Sequence, residues 1–142
     1  MKHQVLYFPV TDYKLDTESC HQFAEGYFLY RKLMAWLWDL YIPNIKERTA
    51  ITASPIYATE EDLKGVAPAF IITAEADILR DEGEAYARKL IAAGVPVYAT
   101  RVLGMIHGVF NIDRMSPLAI SVINQTADIL NRVWGRKYAS HY

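Results

Sequence analysis

Two residues in the later part of the chain have the type and setting for acid–base chemistry. Asp77 stands in the loop Glu75-Ala76-Asp77-Ile78-Leu79-Arg80-Asp81-Glu82-Gly83, directly after the apolar run 69–74. His107 stands in Leu103-Gly104-Met105-Ile106-His107-Gly108-Val109, directly after the run 97–102. If those runs are parallel strands, both loops lie beyond strand carboxyl ends, where ligands bind in open parallel sheets. A carboxylate and an imidazole there are two of the three parts of a Ser–His–acid system. The acid holds one ring nitrogen in its protonated form, and the other nitrogen takes the proton of a serine hydroxyl. Each residue also has a structural use. Asp77 is placed to accept backbone amides before a helix, and His107 can be an ordinary loop histidine. Gly104 and Gly108 favour the first use of His107, because they permit a tight turn that aims its ring inward. Asp81 and Glu82 read as favourable charges near a helix N-terminus.

The elements that must carry these loops are legible as runs and periods. Val5-Leu6-Tyr7-Phe8, closed by Pro9, reads as a buried strand, and so do residues 69–74, entered through Pro68. Residues 97–102, after Gly94 and Pro96, read as a third. The first two runs are continuous rather than alternating, as expected where helices cover both faces of a parallel sheet. Between the second and third, Leu79, Gly83, Tyr86, Ala87, Leu90 and Ile91 share one face of an amphipathic helix that Gly94 ends. This strand–helix–strand spacing predicts a βαβ unit with a right-handed crossover. A second helix follows, with Ser116 as N-cap and Pro117 at its first position, running to about Trp134.

Residues 12–67 differ, and read as a largely helical excursion between two strands. Arg31 to Tyr41 is apolar nearly all round, which predicts a helix covered on most sides. Thr59-Glu60-Glu61-Asp62 starts a short capped turn. Composition bounds the rest. The 142 residues balance 15 Lys+Arg against 16 Asp+Glu, with no basic cluster, which argues against a nucleic-acid or anionic-membrane surface. No apolar run approaches the ~18 residues of a membrane span, and the N-terminal stretch lacks the features of a secretory signal. A single cysteine, Cys20, makes no internal disulfide. The expected location is cytoplasmic.

Residues 12 to 109 carry a resemblance to the hormone-sensitive-lipase-like carboxylesterases, a branch of the α/β-hydrolase fold. It runs from about Gln4 to Trp134. Tyr7-Phe8-Pro9-Val10-Thr11-Asp12 resembles the family's sixth strand and its exit, and Ala53-Ser54-Pro55 its return toward the seventh. Phe23-Ala24-Glu25-Gly26-Tyr27 and Met34-Ala35-Trp36-Leu37-Trp38 resemble the helical part beside the acyl pocket. Residues 74–83 match the acid loop and Gly104-Met105-Ile106-His107-Gly108 the histidine loop, in the order such hydrolases use. The resemblance implies that Asp77 is the triad acid and His107 the general base. It also implies that residues 1–142 are the C-terminal half of an α/β-hydrolase domain: about three parallel strands with flanking helices, the excursion at 12–67 and a strand–helix–strand–helix unit at 68–135. Ile78 stands where the family usually has proline, Val109 where it has an aromatic, and Tyr30 where it has a helix-capping threonine.

The large departure is the nucleophile. No G-x-S-x-G elbow and no glycine-rich oxyanion segment occur in the sequence. Ser19, Ser54, Ser116, Ser121 and Ser140 all lack the flanking glycines of an elbow; Ser116 reads as a cap and Ser54 as a turn residue. Cys20 begins or flanks a helix without a matched base. His3, His21 and His141 have no metal-ligand spacing, so no metal and no cofactor are expected. The reading is therefore part of a serine esterase for small carboxylic esters, contributing acid and base, with the chain alone inactive. The alternative is a non-catalytic, degenerate hydrolase fragment acting as an oligomeric or small-molecule-binding module. An unprotected edge on the first strand predicts self-association or a partner chain carrying the N-terminal half. Aromatic bulk at Phe23, Tyr27 and Trp38 suggests a confined pocket and short to medium acyl groups.

Overall fold

Three strands, β1 (Gln4–Tyr7), β2 (Ala69–Ala76) and β3 (Val97–Ile106), form one parallel sheet in the order β1-β2-β3. They were obtained in a computed structural model, which describes residues 1–108 and 116–135. The register pairs Gln4 with Ala69 on one side of β2 and Ala69 with Val97 on the other. β2 is the central strand, and residues 69–74 are all buried. Its side chains alternate between two cores, as the period of a strand requires. Ala69 and Ile71 pack with Tyr86, Ala87 and Leu90 of α4 (Arg80–Ala92). Phe70, Ile72 and Ala74 pack with Phe8, Met105 and Val122, the last on α5 (Pro117–Val133). A continuous apolar run was the expected mark of such a strand, because helices lie on both of its faces.

The first strand ends one residue earlier than its apolar run, at Tyr7, because Phe8 turns to a positive φ of 49°. The third runs further than expected, to Ile106, carried past residue 102 by a bulge opposite β2. α4 begins and ends close to the expected places, with Gly94 at φ 78° just beyond it. Its buried face differs in two positions. Ile91 is 56% exposed, and Glu82 is buried in its place, held by backbone amides. Ser116 precedes α5 as expected, but its side chain makes no capping bond; Pro117 alone starts the helix.

The excursion contains α1 (Glu18–Gln22), α2 (Arg31–Tyr41), α3 (Glu60–Leu63) and 3-10 turns at Ile45–Glu47 and Pro55–Tyr57. α3 opens on a reciprocal capping box between Thr59 and Asp62. α2 starts at Tyr30 without any side-chain cap. Met34 and Trp38 of α2 join Leu15, Cys20, Phe23, Leu29, Ile78 and Leu79 in a third core. Through it the excursion packs on the loop that follows β2. The expectation that α2 is covered on most sides is corrected here. Only Met34 and Trp38 are buried, while Trp36, Leu37, Leu40 and Tyr41 face outward, because no described element packs over that side.

Candidate active site

Asp77 is the first residue after β2 and is 1% exposed. Its Oδ1 accepts the Leu79 amide at 3.0 Å, which fixes the turn into α4. Its Oδ2 lies 2.9 Å from His107 Nδ1. The two oxygens of Asp77 thus reach a backbone amide and the imidazole separately. With Nδ1 carrying its proton toward Asp77, Nε2 is the basic nitrogen. The imidazole is partly open, with 23% of its side chain exposed. Its ring packs against Phe8 in a tilted pair, centroids 5.3 Å apart at 51°. Phe8 is brought there by its positive φ, a conformation that costs a non-glycine residue about 1–3 kcal/mol and that clusters at functional sites.

The acid loop is braced from the excursion. Ser19, wholly buried at the start of α1, donates its amide to Asp81 Oδ2 at 2.7 Å and its hydroxyl to the Ile78 carbonyl at 3.2 Å. The Asp81 amide donates back to Ser19 Oγ at 3.1 Å. Arg80 donates to Asp81 Oδ1 at 2.8 Å and to the Glu75 carbonyl at 3.1 Å, with its guanidinium over the Phe23 ring. Burial works against the Asp81 charge, but the bonds from Arg80 and Ser19 prevail and hold its carboxyl below the usual range. Asp81 was expected only as a helix N-terminal charge; it is also the hub of this brace.

The histidine loop is held by Glu75. Its Oε2 accepts the Gly104 amide at 2.7 Å, at a bulge where Gly104 takes φ 72°. Glu82, expected as a charge near the helix N-terminus, is buried. Its Oε1 accepts from the amides of Thr11, at 2.7 Å, and Asp12, at 3.1 Å, because the chain leaving β1 crosses α4 at that point. Burial pushes its carboxyl up to about 8. Ser19, Phe8 and Glu75 had no supporting part in the site as read from the sequence. The one local signal was the acid Glu75, next to last in a strand that is otherwise apolar but for Thr73.

The remaining candidates do not converge on Asp77 and His107. Ser54 is buried and Ser121 lies exposed on α5. Cys20 is buried inside α1, and burial pushes its thiol up. His21 pairs with Asp16 at the surface, 3.1 Å away. Phe23 and Trp38 belong to the third core, with Tyr27 edge-on to Phe23 at its rim. A cavity of about 580 Å³ lies within the excursion, lined by Tyr13, Arg31, Ala35, Trp38 and Arg48. Neither Asp77 nor His107 lines it, so it is separate from the site. Val109, Ser140 and His141 lie outside the described residues. No helix among the described residues is long and apolar enough to cross a membrane.

Known proteins share this arrangement of elements. A family model of the alpha/beta hydrolase fold matches residues 1–111. Vegetative-specific protein H5 of Dictyostelium discoideum is 39% identical over 110 residues, covering 78% of this chain and 33% of its own length. Carboxylesterase NlhH of Mycobacterium tuberculosis is 34% identical over 131 residues, covering 91% of this chain and 41% of its own. A solved structure of a fungal esterase from Rhizomucor miehei is 51% identical, with a TM-score of 0.91 over 94% of this chain and 42% of that one. The chain belongs to the α/β-hydrolase family, in its hormone-sensitive-lipase-like carboxylesterase branch. It spans between a third and somewhat under half of the length of these relatives.

Proposed function

We propose that this chain supplies the acid, Asp77, and the general base, His107, of a serine hydrolase acting on small carboxylic esters. The nucleophile and the oxyanion donors come from a hydrolase segment outside these 142 residues. The observation that carries this reading is the 2.9 Å contact between Asp77 Oδ2 and His107 Nδ1 at neighbouring strand ends. In the reaction, His107 Nε2 takes the proton of the serine hydroxyl as its oxygen attacks the ester carbonyl. The imidazolium, stabilised by Asp77, then gives that proton to the departing alcohol. Water repeats the sequence on the acyl-enzyme, releasing the acid and restoring the serine. The exposed apolar side of α2 is a surface such a segment would cover.

A chimera tests this. The chain replaces the matching part of the 51% identical Rhizomucor miehei esterase, which keeps its own nucleophile. The chimera should hydrolyse short acyl esters, and Asp77→Asn or His107→Gln should each lower kcat by roughly ten-thousandfold. The 142-residue chain alone should turn over no ester and take no label from a fluorophosphonate. Turnover by the chimera that is indifferent to His107, or ester turnover by the chain alone, would defeat the reading.

A further inference from the structure

The contact between Asp77 and His107 depends on a register shift in the sheet. Ala74 pairs with Val102 and Ala76 with Ile106, so β3 uses four residue steps where β2 uses two. The two extra residues sit between Val102 and Ile106, around Gly104. Without them, the regular register would pair Gly104 with Ala76. His107 would then stand two residues further along β3, roughly 6–7 Å from its present place, beyond hydrogen-bond reach of Asp77. The alternation of side chains does not forbid this slip. A one-residue slip turns every side chain to the wrong face, but a two-residue slip keeps the faces. Something other than the hydrophobic pattern must hold the bulge.

Two features are present there. Gly104 adopts φ 72°, which a residue with a Cβ resists. Its amide, removed from the strand ladder, donates to Glu75 Oε2 at 2.7 Å. Glu75 is the β2 residue between Ala74 and Ala76, directly facing the bulge. That oxygen thus gives a partner to a backbone donor that the bulge would otherwise leave without one. The same residue offers its carbonyl to Arg80, which is bonded to Asp81 of the acid loop. One residue thus ties both loops, its main chain to the acid side and its side chain to the histidine side.

We propose that Glu75 is a positioning residue: its carboxylate holds the β3 bulge at Gly104 and so sets His107 against Asp77. The inference rests on the reading of Asp77 and His107 as acid and base, and deepens it. The carboxylate acts as a hydrogen-bond acceptor of a given reach, not as a nearby charge. Glu75→Gln, which keeps an accepting oxygen at the same distance, therefore substitutes for it. Glu75→Ala and Glu75→Asp, which remove or withdraw the acceptor, do not.

The test uses the isotopically labelled 142-residue chain and the proton NMR signal of His107 Nδ1–H, assigned by its loss in Asp77→Asn. Thermal unfolding of each variant is recorded alongside. The expected result is that Glu75→Gln keeps the signal, whereas Glu75→Ala and Glu75→Asp lose it through exchange with water, all three unfolding cooperatively. Retention of the signal in Glu75→Ala overturns the proposal. So does its loss in Glu75→Gln and Glu75→Ala with retention in Glu75→Asp, which assigns the effect to charge. If Glu75→Ala does not fold, the comparison of Gln with Asp decides on the same terms. In the chimera, Glu75→Ala should lower kcat about 10- to 100-fold with KM unchanged, and Glu75→Gln should restore it. The NMR result needs no turnover, so failure of the esterase reading and failure of the Glu75 proposal are seen separately.

Discussion

Glu82 answers only one of its two carboxyl oxygens. Oε1 takes the amides of Thr11 and Asp12, while Oε2 has no partner among the described residues. With the carboxyl pushed up to about 8 by burial, the folded chain keeps this proton well above the pH at which an unfolded glutamate loses it. From about pH 4.5 to about pH 8 the unfolded state therefore binds fewer protons, and stability falls as pH rises across that window. Below it this group costs nothing; above it the loss is complete, on the order of a few kcal/mol. Glu82→Gln should flatten that slope, and urea midpoints recorded from pH 5 to 9 would read it directly. An unchanged slope in the variant would mean that another group carries it. The sequence shows why the burial of Glu82 was not foreseen while Asp77 stood out. Asp77 sits where a strand end and a turn each ask for a carboxylate, both local signals. Glu82 occupies a first-turn position that normally faces water, and its burial depends on amides some seventy residues earlier.

Helix α4 illustrates how far periodicity reaches. Leu90 and Ile91 both fit the apolar stripe, yet Leu90 is fully buried and Ile91 is 56% exposed. Adjacent helical residues are about 100° apart, so a stripe wide enough to hold both must place one at its margin. Which one is marginal is decided by the sheet beneath, where Ile71 and Ala69 meet Leu90. Leu90→Ala should cost about 2–5 kcal/mol, and Ile91→Ala within about 0.5 kcal/mol of nothing. Denaturant unfolding of the two variants checks the contrast, and equal losses would contradict this packing. The close approach at Gly83 belongs to the same helix. A Cβ there would stand 3.2 Å from Thr73 Cγ2 and 3.4 Å from the Pro9 ring, so helix, sheet and the chain leaving β1 meet without a spacer. The strand–helix–strand rhythm was readable because it is local. The β3 bulge was not, since only the pairing with β2 reveals the two additional residues.

On the scale of the whole molecule, the apolar side chains of Trp36, Leu37, Leu40 and Tyr41 lie on one side of α2 with at least 40% of each exposed. β1 is paired only to β2 among the described residues. An apolar patch such as that on α2 favours association. The purified chain at micromolar concentration should therefore sediment as a species larger than 16.2 kDa, and Trp36→Glu with Leu40→Lys should shift it toward the monomer. A monodisperse wild-type monomer would contradict the expectation. The helical identity of α2 was plain from its sequence, but cover for its outer side is a property of neighbours, which no period within the helix encodes.

The parallel pairing of Gln4 with Ala69 has a temporal side. A strand in a hairpin finds its partner within a few residues, but β1 leaves the ribosome roughly 65 residues ahead of the strand it must join. At about 5–20 residues per second, that is several seconds of waiting. By contrast, β2, α4 and β3 follow one another within a short stretch of chain. The meeting of the Phe8 ring with His107 therefore depends on a long-range closure, which is slower than the local closures within the later unit.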